Sequence, residues 1–314
     1  MASDTTRAGG FEGVQSVAVD GTALAYREQG EGDPVVFVHG SSSDLRSWEQ
    51  QLPEIGRSYR AIAYSRRYAR PNRDIDPGVD DQMLPHVNDL AIVLRGLDAV
   101  PAHLVGHSWG GFICLLAAIR HPELVRSLVL LEPPVLSLVM STPPRPAEVL
   151  KLLVRRPRTA RAVLGFTALT YLPAAAAFRR GDDDAAMERF AHGVLGRDTY
   201  VRLPEARRRQ ARENIATLRA QLLGAGFPPL SDDDVRSVRV PTLLMTGARS
   251  PAFLLRLTDR LHQLLPDVER IEIAAASHVM TEENPRAVNA AILAFLARHD
   301  GSERLRQQAA ARSG

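Results

Sequence analysis

The sequence predicts an α/β fold, with a mostly parallel central sheet flanked by helices and a helical cap inserted late in the chain. Three observations predict it. Short, mostly apolar runs at residues 35–38, 102–105 and 125–131, the first of them fully apolar, alternate with amphipathic helical stretches, as expected of strands buried on both faces of a parallel sheet. One of these runs leads through Gly106-His107-Ser108-Trp109-Gly110-Gly111 straight into an apolar, Ala-rich helical segment. Residues 135–235 contain no strand-like run, only Arg-rich and Ala-rich helical pieces interrupted by prolines at 143, 144, 146, 157, 173, 204, 228 and 229.

Residues 1–12 are polar and read as a disordered arm. Residues 14–19 and 24–27 alternate around Asp20-Gly21, a hairpin-turn pair. After a turn at 30–34, the strand 35–38 ends in His39-Gly40. The polar loop 41–44 offers Ser43 or Asp44 as N-cap to a helix over 45–56, where Trp48, Leu52 and Ile55 share a face. A strand follows at 60–64, and the Arg- and Pro-rich stretch 65–77 reads as an exposed loop. Leu84, Val87, Leu90, Val93, Leu94 and Leu97 form the buried side of a helix over 82–97. The central strand, the serine turn and a helix ending near His121-Pro122 come next, and Pro133-Pro134 stops the strand 125–131. Beyond the insertion the rhythm resumes: strand 240–246, helix 252–265, strand 268–274, and a final helix 281–298 capped by Thr281. The expected organisation is a core domain of residues 13–134 and 236–300, a cap of residues 135–235 and a flexible tail at 301–314.

The chain has 314 residues, room for one large α/β domain with an insertion or for two small domains. Its 45% hydrophobic and 24% charged residues are those of an ordinary globular protein. A net charge of +3 gathers into no single stripe, so no nucleic-acid partner is expected despite a pI near 9.3. The lone cysteine, Cys114, precludes an intrachain disulfide and fits a reducing, cytoplasmic setting. No apolar leader and no apolar run of about 18 residues is seen, so neither a secretory signal nor a membrane partner is expected. The oligomeric state stays open.

The chemistry centres on Ser108. A serine hydroxyl is a weak nucleophile at neutral pH and needs a base, which needs an orienting acid. Of nine histidines, His278 follows the last strand in the small-residue stretch Ala274-Ala275-Ala276-Ser277, which sets it at the same sheet edge as Ser108. The loop after the strand 240–246 reads Gly247-Ala248-Arg249-Ser250-Pro251 and holds no carboxylate. Glu132, directly after the strand 125–131, is the expected acid, with Asp259 and Asp267 as alternatives; the chain order is nucleophile, acid, base. The backbone N–H groups of Trp109 and Ser41 are expected to form an oxyanion hole, with His39 propping the loop. Cys114 reads as a core thiol, and Arg66-Arg67 and Arg207-Arg208-Arg209 read as solvated faces. Phe166, Tyr171, Phe178, Phe190 and His192 read as core or underside of the insertion. No metal-ligand cluster and no phosphate-binding glycine loop is present in the sequence.

Over residues 14–300 the chain resembles the α/β-hydrolase superfamily, capped serine-hydrolase branch. The carriers are Val38-His39-Gly40-Ser41, the turn at 106–111, Pro241-Thr242-Leu243-Leu244-Met245-Thr246-Gly247, and Ser277-His278. The resemblance implies the α/β-hydrolase fold, a cofactor-free mechanism, and oxyanion-loop, nucleophile and base roles for these positions. One departure is informative: the superfamily's usual aspartate after the seventh strand is Ser250 here. Leu131-Glu132-Pro133-Pro134 is similar to the arrangement in zearalenone-type lactone hydrolases, where a glutamate after the sixth strand serves. That implies an ester or lactone of a small, moderately apolar molecule as substrate. The same triad would also serve C–C bond hydrolysis, acyl transfer or cyclisation, and the fold alone would serve a non-catalytic receptor. A serine at the turn argues against epoxide hydrolases and haloalkane dehalogenases, which place an aspartate there.

Overall fold

The computed structural model describes residues 10–300. Eight strands form one sheet in the order β1-β2-β4-β3-β5-β6-β7-β8. They are Gln15–Val19 (β1), Thr22–Gln29 (β2), Pro34–Val38 (β3), Arg60–Tyr64 (β4), Ala102–His107 (β5), Val125–Leu131 (β6), Thr242–Gly247 (β7) and Val268–Ile273 (β8). β1 pairs antiparallel with β2 and β2 with β4, while β3 to β8 run parallel. The first hairpin closes through Asp20 and Gly21, both at positive φ (27° and 72°), as a two-residue turn requires.

The strands β3, β5 and β6 are largely apolar because helices cover both faces; the exceptions include His103 and Ser127, which are buried and bonded to each other. One face packs on Met83–Gly96 (α2), Trp109–Arg120 (α3) and Ala252–Leu264 (α12). The other packs on Leu52–Ile55 (α1) and Pro285–His299 (α14). Between β6 and β7 the chain is helical: Pro146–Arg155 (α4), Pro157–Phe166 (α5), a π turn Thr167–Tyr171, Leu172–Arg179 (α6), Asp183–Leu195 (α7), Arg197–Arg202 (α8), Glu205–Glu213 (α9), Ile215–Leu223 (α10) and Asp232–Arg236 (α11). A small apolar cluster including Phe178, Met187, Leu218 and Leu222 is its own core.

Five expectations change. The helix over 45–56 is two pieces, a 3-10 turn Leu45–Trp48 and α1, although Asp44 does cap the first. The last helix is also two pieces, Met280–Glu283 (α13) and α14; Asn284, not Thr281, caps α14 with its side chain. In both cases a proline, Pro53 or Pro285, starts a new helix instead of continuing the old one. Residues 65–77 are not a wholly exposed loop, since Ser65, Arg66, Ala69 and Ile75 are buried. At the N-terminus, residues 10–12 are held: Phe11 packs on the core beneath the Arg46 guanidinium, and Arg27 donates to the Gly10 and Glu12 carbonyls. Residues 1–9 of the expected arm, and the tail at 301–314, lie outside the described residues. Finally, α5, the π turn and α6 form one 23-residue helix, Pro157–Arg179, of mean hydropathy 1.3. By length and composition it is apolar enough to cross a membrane, against the expectation from sequence. Prolines and arginines broke up that run in the sequence.

Candidate active site

Parallel strands present their C-terminal ends at one edge, and the loops there gather the site. Ser108 leaves β5 at φ 52°, ψ −122°, a left-handed backbone that a residue with a Cβ adopts only when its surroundings force it. They do: Ser108 N–H donates to Leu131 O at 2.8 Å, and α3 begins at the next residue. The flanking glycines allow the approach. A Cβ on Gly110 would stand 2.2 Å from Val38 O, and one on Gly106 2.6 Å from Gly111 Cα.

Glu132 leaves the neighbouring strand β6, also at positive φ (48°), and is fully buried. Its Oε2 lies 2.7 Å from His278 Nδ1, and its Oε1 accepts the Gly247 N–H at 2.9 Å. With the carboxylate as acceptor, His278 donates from Nδ1, which in a neutral imidazole leaves Nε2 as the accepting nitrogen. Ser250, in the loop after β7, is buried beside Gly247 with its hydroxyl unpaired. Asp259 instead bonds Arg256 and Arg270.

Ser108 and His278 line one cavity of about 240 Å³, together with Ser41 and Trp109. Its far wall comes from the insertion, including Met140, Phe166, Tyr171, Met187 and Phe190, with Phe253 from α12. Of the aromatic residues singled out in the insertion, Phe178 packs instead in the insertion's own core, and His192 stands edge-on to Tyr200. The cavity wall is thus mostly apolar, with a minority of polar side chains that include Ser108, His278, Asp81, Arg207 and Gln221, a layout suited to a small, moderately apolar ligand.

Several residues that matter to this site were not assigned a part in it from the sequence. His107 Nε2 lies 2.8 Å from the His278 carbonyl, which can only accept, so His107 braces the loop that carries His278. Burial first, then the nearby His278, hold the His107 imidazole well below its ordinary pKa, hence neutral. Arg66, read as a solvated residue, is 1% exposed. It donates from Nε to His39 O (3.1 Å) and from Nη2 to Gly40 O (2.9 Å), and its guanidinium lies 4.5 Å over the Trp109 ring. One cation therefore ties the loop carrying Ser41 to the residue after Ser108. His39 does prop that loop: its Nε2 accepts the Arg66 N–H, its Nδ1 donates to Gly40 O, and burial, then Arg66, keep it neutral. Arg67 is not free either, pairing with the buried Asp89. Arg207 pairs with Glu282 at 2.6 Å on the cavity wall, so this arginine too is not a solvated face. Cys114 is a core thiol as read; burial pushes its pKa up.

The sequence matches the family described as alpha/beta hydrolase fold over residues 33–285. Among curated proteins it is similar to 2-hydroxymuconate semialdehyde hydrolase of Pseudomonas sp. (strain CF600), 35% identical over 127 residues. That match covers 37% of this chain and 42% of the relative, so the chain spans about two fifths of it. An uncharacterised carboxylesterase of Bacillus subtilis (strain 168) is 24% identical over 280 residues, covering 87% of this chain and 82% of the relative. Among solved structures, a thermophilic esterase from Thermogutta terrifontis superimposes with a TM-score of 0.70 at 22% identity, covering 91% of this chain and 99% of that one. A carboxylesterase from Bacillus subtilis gives 0.67 at 21%, covering 90% of each. At these identities the superpositions speak to the fold alone.

Proposed function

The chain belongs to the alpha/beta hydrolase fold family, and from that premise we propose that it is a serine hydrolase cleaving a carboxylic ester or lactone of a small, moderately apolar molecule. Ser108 Oγ attacks the carbonyl carbon while His278 Nε2 takes the hydroxyl proton. Glu132 holds His278 in the tautomer that permits this and stabilises the imidazolium that forms. The oxyanion accepts from the Trp109 and Ser41 N–H groups. His278 then returns the proton to the departing alkoxide, and water, deprotonated by the same nitrogen, releases the acid and restores Ser108.

The observation that carries this reading is the Glu132–His278 contact of 2.7 Å at the wall of the cavity that Ser108 also lines. An apolar pair would be cheaper to bury than this carboxylate and histidine, and the pair shares its cavity with a serine held in a strained backbone. The carboxylesterase relatives support the choice of an ester, and the apolar wall supports a moderately apolar acyl or alcohol part. A fluorophosphonate probe should label the native protein and fail on Ser108→Ala. Absence of labelling, where a control serine hydrolase reacts, would count against the mechanism. A series of p-nitrophenyl esters and lactones then separates ester from lactone preference.

A further inference from the structure

The helix that walls the cavity has a second face. Phe166, Thr167 and Tyr171 line the cavity, and Ala160, Val163 and Thr170 are buried. On the other side Leu169 is 81% and Leu172 52% exposed, three positions apart and so on one face. The α4 helix, packed against α5, repeats the pattern: Leu152 is buried, while Leu150, Leu153 and Val154, at spacings of three and four, point to solvent. These five side chains are half of the ten large hydrophobic residues exposed among the described residues, so the exposure is concentrated on residues 150–172 rather than scattered.

The same segment is strongly basic. Residues 145–161 hold Arg145, Lys151, Arg155, Arg156, Arg158 and Arg161 against a single acid, Glu148. The Glu148 carboxylate is taken by Ser141 and the Arg145 N–H. None of the six cations belongs to an ion pair found among the described residues, although Arg46, Arg67, Arg207, Arg219 and Arg298 elsewhere all do. Arg156 and Arg158 also border a shallow recess with Arg256, Arg260 and Asp259. Exposed leucines flanked by unpaired cations are the makeup of a helix lying in a lipid interface. The Pro157–Arg179 helix would have to leave the cavity wall in order to span a bilayer. Lying on the bilayer requires no such change.

We propose that the outer face of α4, α5 and α6 docks on an anionic lipid bilayer, with Leu150, Leu153, Val154, Leu169 and Leu172 entering the interface and the six cations meeting lipid phosphates. Docking in this way sets the cavity wall against the membrane. The binding itself does not depend on the hydrolase reading.

The test is co-sedimentation of the full chain with vesicles of phosphatidylcholine alone or mixed with phosphatidylglycerol. Binding is expected on the anionic vesicles, weak on the neutral ones, and reduced by added salt. Arg158→Gln and Arg161→Gln should each lower it about fivefold. Val154→Glu and Leu169→Glu, at exposed positions away from the cavity, should lower it about tenfold or more, with the thermal unfolding temperature and the labelling of Ser108 unchanged. Failure to bind anionic vesicles, or full binding by both glutamate variants, would overturn the proposal. So would a dimer that Leu169→Glu dissociates without any vesicle binding, because the face would then belong to a second copy of the chain.

Discussion

Glu132 shows how a single residue depends on its two partners. Its carboxylate accepts from Gly247 N–H and stands against His278 Nδ1. On the proposed mechanism, Glu132→Gln keeps the Gly247 bond but turns an amide N–H toward Nδ1. That favours the tautomer with the proton on Nε2, which cannot serve as base. Turnover should fall by about 10⁴-fold with an unchanged circular dichroism spectrum; a variant that keeps full activity would place the acid elsewhere. A second residue carries a pH prediction. His103 is buried on β5, bonded to Ser127 Oγ at 2.7 Å, and burial, then Arg126, push its pKa down to about 4. In the unfolded chain it titrates near 6.5. Between those values only the unfolded chain binds the proton, so stability is full above about pH 6.5 and declines as pH falls toward 4, by roughly 3 kcal/mol from this group. Urea unfolding across that range should show a shallower loss for His103→Gln than for the native chain. The sequence could nominate Ser108, His278 and Glu132, because reactive residue types next to strand ends are local signals. It could not give Arg66 a role, because an arginine in an Arg- and Pro-rich stretch reads as solvated until the carbonyls of His39 and Gly40 are seen to face it.

Among the elements, the turn from β5 into α3 has the least room. Gly110→Ala would place its Cβ against the Val38 and His39 carbonyls, which are backbone and cannot yield. The expected cost is more than about 3 kcal/mol, or failure to fold. Gly165→Ala on α5 is the control. Nothing lies within 4 Å of that Cβ, so the change should stabilise the helix by up to about 1 kcal/mol. Denaturant midpoints of the two variants should move in opposite directions. Strands were the most legible elements: β4 and β6 begin and end at the residues the sequence marks, 60–64 and 125–131. The helices over 45–56 and 281–298 were read as continuous because amphipathic spacing survives a break, whereas Pro53 and Pro285 begin new helical turns.

At the scale of the whole molecule, the insertion is fastened to the core through Asp44. This buried carboxylate accepts from Gln210 Nε2 at 2.7 Å and Asn214 Nδ2 at 2.8 Å, and pairs with Arg46, which also reaches Glu213. Asp44→Ala would leave these buried donors short of an acceptor, at a cost of about 3 kcal/mol. The loss should be local, with faster amide hydrogen exchange in α9 and α10 than in β5 or β6; uniform acceleration would refute this account of the fastening. Alternating apolar runs, the glycine-flanked serine and the order of the acid and base determined the sheet, the turn and the residues offered for chemistry, because each depends on neighbours within a few positions. Only the tertiary structure decided which arginines are buried, which face of each insertion helix walls the cavity and which meets solvent. Those outcomes depend on surfaces from segments tens of residues to more than a hundred residues apart in the chain, and no local periodicity records what the opposing surface will be.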